Sequence, residues 1–208
     1  MEEDLLQEPD DDHPKRAVVV ILAVFFEGGL AMLSLLLGWR LGHPPLRHFV
    51  WSLEDALWGV VATLPLLALF LAILKWPIGP LARAKHFCEN EVEPLLHDSS
   101  WSEIGLVSLS VGVSEEMLFR GVFQAALTNW LGVPMGLGLA SVLFGLLHPI
   151  SVPYMVMAAF LGLYLGTVWI VSGNLLTVIV VHTLYDFAAL SYLIRIRPPH
   201  RGNSDSPS

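Results

Sequence analysis

Long apolar runs alternate with short polar segments along most of this chain. The apolar runs cover residues 17–39, 56–74, 101–129, 134–148, 152–171 and 175–194. A helix that crosses a membrane needs about 20 mostly apolar residues, whereas a buried strand needs far fewer. The pattern therefore predicts an all-α integral membrane protein, a bundle of about six transmembrane helices.

The polar segments divide the chain into four parts. Residues 1–16 are predicted to be an acidic disordered tail, and residues 17–100 two transmembrane helices followed by a cytoplasmic loop. Residues 101–194 contain the remaining spans, and residues 195–208 are predicted to be a second disordered tail. A signal peptide is the rival interpretation, and it is disfavoured because the first apolar run is too long, at roughly 23 residues against about 7 to 15. Within the loop, the pattern around residues 81–96 permits an amphipathic surface helix.

Composition supports a membrane protein and narrows its partners. Hydrophobic residues make up 54% of the chain and charged residues 14%, with a mean hydropathy of +0.63. The net charge of -8 comes largely from acids in residues 1–12 and 89–98, outside the spans, and no basic stripe could follow a nucleic acid. Cys88 is the single cysteine, so an internal disulfide and a multi-cysteine metal site are excluded.

The distribution of basic residues predicts the orientation of the bundle. If the N-terminus is cytoplasmic, eight lysines and arginines lie on the cytoplasmic side and two, Arg40 and Arg47, on the other. This is a clear positive-inside bias. The sequence therefore predicts a multi-pass protein with both termini in the cytoplasm and the lipid bilayer as its surroundings.

Within the third apolar run, the stretch of residues 104–129 contains three charged side chains, Glu115, Glu116 and Arg120. A charge at the centre of a membrane helix costs roughly 2.5 to 3.5 kcal/mol, so each needs a partner or a watery cavity. Glu116 and Arg120 are four residues apart with the acid first, the favourable order for an ion pair on a helix. Glu115 points about 100° away around the helix and lacks a local partner. We therefore interpret Glu115 as the functional carboxylate and the other two as a pair.

Two histidines, His148 and His182, lie in or at the end of apolar runs, whereas the other six are in polar segments. Pro149 ends or kinks the fourth helix, which places His148 at a helix end. Asp186 follows His182 by one helical turn, so it can orient the imidazole or share a bound group with it. A lone histidine in such a run is usually structural, but two of them together with intramembrane acids favour a site.

These side chains permit two kinds of hydrolysis. In the first, Glu115 is the general base that takes a proton from a water held with the help of His148. His182 and Asp186 then stabilise the oxyanion that forms on the attacked carbonyl. In the second, the same four side chains bind a zinc-like divalent ion with an open position for water. No Ser or Cys stands in a G-x-S-x-G signature and no H-E-x-x-H occurs, so a covalent intermediate and a zincin site are disfavoured.

Three motifs, in this order on successive apolar runs, resemble those of the CAAX protease and bacteriocin-processing enzyme family (CPBP, or Abi). They are Glu-Glu-x-x-x-Arg at 115–120, Phe-x-x-x-His at 144–148 and His-x-x-x-Asp at 182–186. The resemblance covers about residues 101–193. It implies a CPBP-like catalytic core and an intramembrane endopeptidase, of metallo- or glutamate type, that cleaves a membrane-associated or prenylated protein or peptide.

The resemblance also implies roles for individual residues. Glu115 corresponds to the catalytic base and His148 to its partner on the water. His182 and residue 186 correspond to oxyanion or metal contacts, and Glu116 and Arg120 to a structural pair. Many members of the family have Asn at position 186, and an ionised Asp cannot donate a hydrogen bond to an oxyanion as an amide can. Asp186 therefore favours metal ligation or orientation of His182.

Two other functions compete with proteolysis. A proton-coupled transporter would also use intramembrane acids and histidines, but it would place polar residues along a path through both leaflets. A non-catalytic scaffold or immunity protein would bind a partner without cleaving it.

Glu27, in the first run, belongs to none of the motifs and is interpreted as a carboxylate buried against another helix rather than a cavity-lining acid. Ala158, Gly162 and Gly166 form a small-residue face that predicts close helix packing.

Overall fold

The computed structural model describes residues 13–76, 86, 90, 93–97 and 99–196, and this part of the chain is helical without a strand. Six long helices, α1 to α6, make up most of it. They are His13–Leu41 (α1), Leu53–Lys75 (α2), Trp101–Leu131 (α3), Val133–Leu146 (α4), Val152–Ser172 (α5) and Leu175–Ile196 (α6). α3 consists of Trp101–Leu118, a wide π-helical turn at Phe119–Gln124, and Ala125–Leu131. A similar turn, Tyr192–Ile196, ends α6.

The all-α membrane bundle predicted from the apolar runs is confirmed. Among the described residues, four helices are long and apolar enough to cross a membrane, and they are α1, α2, α5 and α6. α3 differs because of its charged residues, and α4 because it has only 14 residues. At 1.5 Å per residue α4 reaches about 21 Å, less than the roughly 30 Å of a hydrocarbon core. These two helices are therefore the least suited to contact lipid along their full length.

The helix boundaries agree with the apolar runs except near the ends of the chain. α1 begins at His13, before the predicted start at Ala17, and α6 continues to Ile196. The rest of the two predicted tails lies outside the described residues. Most of the predicted loop helix does so too, and a short helix at Glu93–Leu96 is the part of it that is described with bounds.

Local sequence signals fix both ends of α3. Ser100 accepts a hydrogen bond from the backbone N–H of Glu103, and the Glu103 carboxylate accepts one from the N–H of Ser100. This reciprocal capping box satisfies two free donors at the start of the helix. At the other end Gly132 has φ +84°, a conformation that favours glycine, and Pro134 lies in the first turn of α4. α3 and α4 are thus joined by a single-residue break.

α3 is the central helix and packs against α1, α4 and α6, while α4 packs on α5 and α2 on α6. Small residues allow these close approaches. A Cβ on Gly112 of α3 would come within 3.0 Å of the Thr183 backbone nitrogen in α6. A Cβ on Gly162 of α5 would lie 3.1 Å from the Phe144 Cβ in α4. The small-residue face predicted on α5 is confirmed, since Ala158 and both glycines are buried there.

Candidate active site

A buried hydrogen-bonded group, Glu116, Arg120 and His182, forms the base of the candidate site. Arg120 Nη1 donates to Glu116 Oε1 over 2.9 Å, and the Nδ1–H of His182 donates to the same oxygen over 2.7 Å. All three side chains are buried, and that of Glu116 has no exposed surface. The Glu116–Arg120 pair forms as its spacing predicts. The link to His182, 66 residues away, is one that the sequence does not reveal.

The wide turn in α3 directs two long polar side chains toward α5. Arg120 Nη2 donates to the carbonyl oxygen of Gly162 over 2.9 Å, and Gln124 Nε2 donates to that of Gly166 over 3.1 Å. The absence of side chains at the two glycines leaves their carbonyls accessible. The Arg120 guanidinium also lies 4.8 Å from the centre of the Phe144 ring. A buried arginine is thereby satisfied by a carboxylate, a carbonyl and an aromatic face.

His148 lies just after the end of α4 and is oriented by Phe144. Its Nδ1 is 2.7 Å from the Phe144 carbonyl oxygen, and the two rings are 4.7 Å apart with 30° between their planes. A carbonyl oxygen only accepts hydrogen bonds, so Nδ1 carries the proton. The Nε2 atom of the neutral ring is therefore left with a free lone pair.

The Glu115 carboxylate lies between the Nε2 atoms of the two histidines. Its oxygens are 3.8 Å from His148 Nε2 and 3.9 Å from His182 Nε2, too far for direct hydrogen bonds. Glu115 exposes 14% of its side chain, whereas its neighbour Glu116 exposes none. Of these two adjacent acids, Glu115 is thus the one that can contact water or a substrate. Asp186 Oδ2, 3.6 Å from His182 Nε2, lies on the same side of the imidazole.

One cavity of about 830 Å³ is lined by Glu115, His148, His182 and Asp186, and the rest of its lining is mostly apolar. Its walls include Leu69 and Ile73 of α2 and Phe160 and Leu161 of α5. Further along, the Tyr164 hydroxyl donates to the Ala62 carbonyl oxygen over 2.6 Å and joins α5 to α2. The cavity therefore extends between two apolar helices, with the reactive groups among its lining.

Glu115, His148, His182 and Asp186 are residue types that bind metal ions, but they do not lie close enough together to form a preformed metal site. Among the described residues, no three or more His, Cys, Asp or Glu side chains are arranged so that they could hold a metal ion. The gaps of 3.6 to 3.9 Å exceed the about 3.3 Å between two ligands of a tetrahedral zinc ion. Both histidines nevertheless present Nε2 while Nδ1 is bound to an acceptor, as metal-bound histidines usually do. These donors are therefore of the types that a zinc-like ion takes, while their spacing in the structure is that of a site without preformed metal geometry.

Glu27 of α1 is also part of this region. It is buried, and its Oε2 accepts a short hydrogen bond from the hydroxyl of Ser114, the residue before Glu115. The interpretation of Glu27 as an acid buried against another helix agrees with this contact. An ionised acid at mid-membrane costs roughly 2.5 to 3.5 kcal/mol, whereas a hydrogen bond between membrane helices contributes about 0.6 kcal/mol on average. The hydrogen bond alone therefore does not offset the cost of a glutamate at this position.

The structure brings every candidate residue into one region. The group comprises Glu115, Glu116, Arg120, His148, His182 and Asp186. Sequence reasoning missed the contact of Gln124 with Gly166, that of His148 with the Phe144 carbonyl oxygen and that of Ser114 with Glu27. Their signals were weak, because Gln and Ser are uncharged and every residue has a backbone carbonyl.

Comparison of the sequence with known protein families gives a match. Residues 97–188 match the family model described as type II CAAX prenyl endopeptidase Rce1-like. This segment, somewhat less than half of the chain, is similar to the Rce1-like family. It contains all six candidate residues, and the match confirms the resemblance to the CAAX proteases. No curated protein and no solved structure matches the chain significantly. The Rce1-like match supports intramembrane protease activity in general, with a peptide substrate in a membrane setting.

Proposed function

We propose that the protein is an intramembrane endopeptidase that uses an activated water to cleave a peptide bond in a membrane-associated or prenylated substrate. The main support is the position of Glu115 between the Nε2 atoms of His148 and His182, in the lining of an apolar cavity. A general base beside a lipid-like cavity suits a substrate that is itself held at the membrane. The Rce1-like match points to the same reaction class.

In the proposed reaction, a water molecule in the cavity gives a proton to Glu115 while its oxygen attacks the carbonyl carbon of the scissile peptide. His148 Nε2, with its free lone pair, accepts a hydrogen bond from this water and orients it. The attack gives a tetrahedral intermediate with a negatively charged oxygen. The C–N bond then breaks, and the proton on Glu115 passes to the departing nitrogen to yield a carboxyl group and an amine.

His182 is the proposed partner of the developing negative charge. Its Nδ1–H is already bound to Glu116, so its Nε2 can donate to the oxyanion only when the ring is doubly protonated. Glu116 and Asp186, on either side of the imidazole, stabilise that positive charge. Asp186 is thus proposed to act through His182, because a carboxylate cannot donate to an oxyanion.

A metal-assisted variant uses the same residues. A zinc-like ion would be held by Glu115, both Nε2 atoms and Asp186, and when bound it would lower the pKa of a coordinated water. Removal of divalent ions with a chelator, followed by metal analysis and an activity assay, separates the two variants. Full activity of metal-free protein supports the glutamate-type reaction. Loss of activity that zinc restores supports the metallo-type.

The apolar part of the cavity supports a substrate with a lipid-like segment. Its walls on α2 and α5 match a prenyl chain or an apolar peptide segment better than a polar peptide. The Tyr164–Ala62 hydrogen bond links these two helices at the height of the cavity. We therefore propose that the peptide bond lies at Glu115 while the apolar segment lies between α2 and α5.

The decisive experiment compares the protein termini in membranes that contain either the wild-type protein or Glu115→Gln. New termini that depend on the wild-type protein and vanish with Glu115→Gln support endoproteolysis. Identical termini in both membranes would instead favour a scaffold or an immunity protein. A proton-coupled transporter would likewise leave the termini unchanged, and it would move protons across sealed vesicles.

A further inference from the structure

The buried acid on α1, Glu27, has no part in the proposed reaction, yet it contacts the reactive stretch of α3. Its neighbours Phe25 and Phe26 are 80% and 68% exposed and face away from the bundle. Glu27 turns inward, and its carboxylate accepts a hydrogen bond from the buried Ser114 hydroxyl. α1 lies outside the segment that matches the Rce1-like family. Nothing in that match accounts for this acid.

Ser114 has two acceptors within reach, and the carboxylate is the better one. The alternative, the Val111 carbonyl oxygen in the preceding turn of α3, lies 3.3 Å from the hydroxyl. The contact with Glu27 pairs the hydroxyl with a carboxylate, which is the stronger acceptor. The hydroxyl therefore forms a link between two helices, not only a bond within α3.

This link lies one residue before Glu115, whose own carboxylate is loosely held. Glu115 has no hydrogen bond to either histidine, and its Oε2 has no partner within the part of the chain that the structure describes. The position of the Glu115 side chain therefore depends on how the α3 backbone is rotated about its axis and shifted along it. On the C-terminal side of Glu115, the backbone is held through Arg120, which binds Gly162 of α5. On the N-terminal side, the Ser114–Glu27 hydrogen bond supplies a polar link.

We infer that Glu27, acting through Ser114, is a positioning residue for Glu115. In this way α1 contributes to the geometry of the active site. The inference rests on the proposed protease function. A general base must be held to within about half an ångström of its productive position, and an error of about 1 Å can reduce the rate by about 100-fold. This placement of α3 accounts for a carboxylate at mid-membrane in α1, where a leucine would be the more stable choice.

The test uses Glu27→Leu, Ser114→Ala and the double variant, with Glu27→Gln as the conservative change. We expect kcat to fall at least tenfold in Glu27→Leu and in Ser114→Ala, with KM changed less than twofold and Tm not lowered. The double variant should be no worse than either single one, because both remove the same link. Glu27→Gln keeps an acceptor oxygen and should stay within about threefold of wild type. Ser34→Ala, which removes a buried hydroxyl of α1 that has no contact with Ser114, should leave kcat unchanged.

A second measurement separates this inference from the proteolysis itself. In a Cys88→Ser background, the thiol labelling rate of Glu115→Cys reports how position 115 is presented to the cavity. We expect Glu27→Leu to change this rate at least threefold and Ser34→Ala to leave it unchanged. An unchanged rate, or wild-type kcat in Glu27→Leu, overturns the inference. If the wild-type protein cleaves nothing, the proposed function fails, and the labelling rates alone decide whether Glu27 positions residue 115.

Discussion

Glu115 and Glu116 have opposite surroundings although they are adjacent in the chain. Glu116 is enclosed by Arg120 and His182, while Glu115 borders the cavity. A helix turns about 100° per residue, so two successive side chains face a helix interface and a cavity at once. The double glutamate thus provides one acid that binds an imidazole and one that borders the cavity.

The first prediction concerns the residues that are proposed to contact the reacting water and carbonyl. Glu115→Gln, His148→Ala and His182→Ala should each lower turnover by roughly 10² to 10⁴-fold, the range typical of acid–base groups. The protein should still insert into the membrane, since the apolar spans are unchanged. Cleavage rates per amount of membrane-inserted protein measure this, with the exposed Glu54→Gln as a control. Near-normal cleavage by Glu115→Gln would remove Glu115 as the base.

The second prediction distinguishes Glu116 from its neighbour. Glu116→Gln leaves the buried Arg120 without a charged partner, and breaking a buried ion pair costs roughly 3 to 5 kcal/mol. We therefore expect a lower Tm and lower abundance together with reduced activity. Thermal unfolding in detergent, compared with Glu115→Gln and Glu54→Gln, provides the measurement. A Tm equal to that of wild type would show that Arg120 is stabilised sufficiently by the Gly162 carbonyl and the Phe144 ring.

Sequence reasoning at this scale succeeded where residues are one helical turn apart. The Glu116–Arg120 pair and the approach of Asp186 to His182 follow from a spacing of four residues. The contacts of Glu116 with His182 and of Glu27 with Ser114 join different helices, 66 and 87 residues apart in sequence. Such contacts depend on helix rotation and register, which one sequence does not specify. The roles of the site residues stay predictions that the variants above test.

At the scale of helices, the wide turn in α3 determines where the polar side chains point. The turn at Phe119–Gln124 changes the rotation of the helix just after Glu116, so that Arg120 and Gln124 both reach α5. Such π-helical turns occur frequently at functional sites. Apolar periodicity predicted the extent of α3, but it could not reveal an internal turn of this type. The small-residue face on α5, in contrast, was visible in the sequence.

The third prediction compares two glycines of α4. A Cβ on Gly145 would meet the Met155 carbonyl oxygen and lie 2.8 Å from the Ala159 Cβ, whereas a Cβ on Gly138 would have nothing within 4 Å. Both changes to Ala favour the helix by up to about 1 kcal/mol, so the difference reports packing. Gly145→Ala should push α4 away from α5, displace His148 and lower both Tm and kcat. Gly138→Ala should preserve both, and equal behaviour of the two variants would contradict close α4–α5 packing at this point.

At the scale of the whole molecule, the directions of the helices predict that the polar groups lie at a similar depth in the membrane. If the N-terminus is cytoplasmic, α3 starts on the cytoplasmic side, while α4 and α6 run back toward it. His148 then lies near the cytoplasmic end of α4, and Asp186 lies one turn closer to that side than His182. Glu115 follows Trp101 by 14 residues, a rise of about 21 Å along the helix, part of which lies outside the hydrocarbon. We propose that the cavity opens to the cytoplasm.

The last prediction tests this orientation with single cysteines in a Cys88→Ser background. Leu147→Cys, beside His148, and Tyr185→Cys, beside Asp186, should react with a membrane-impermeant thiol reagent in inside-out vesicles only. Trp51→Cys, in the exposed connection between α1 and α2, should react in right-side-out vesicles only. We expect this because the proposed cavity admits water from the cytoplasmic face, and because the positive-inside bias predicts that the third position lies on the opposite face. The reverse pattern at all three positions would invert the orientation. Labelling of Leu147→Cys and Tyr185→Cys from the same face as Trp51→Cys would instead reject a cavity that opens to the cytoplasm.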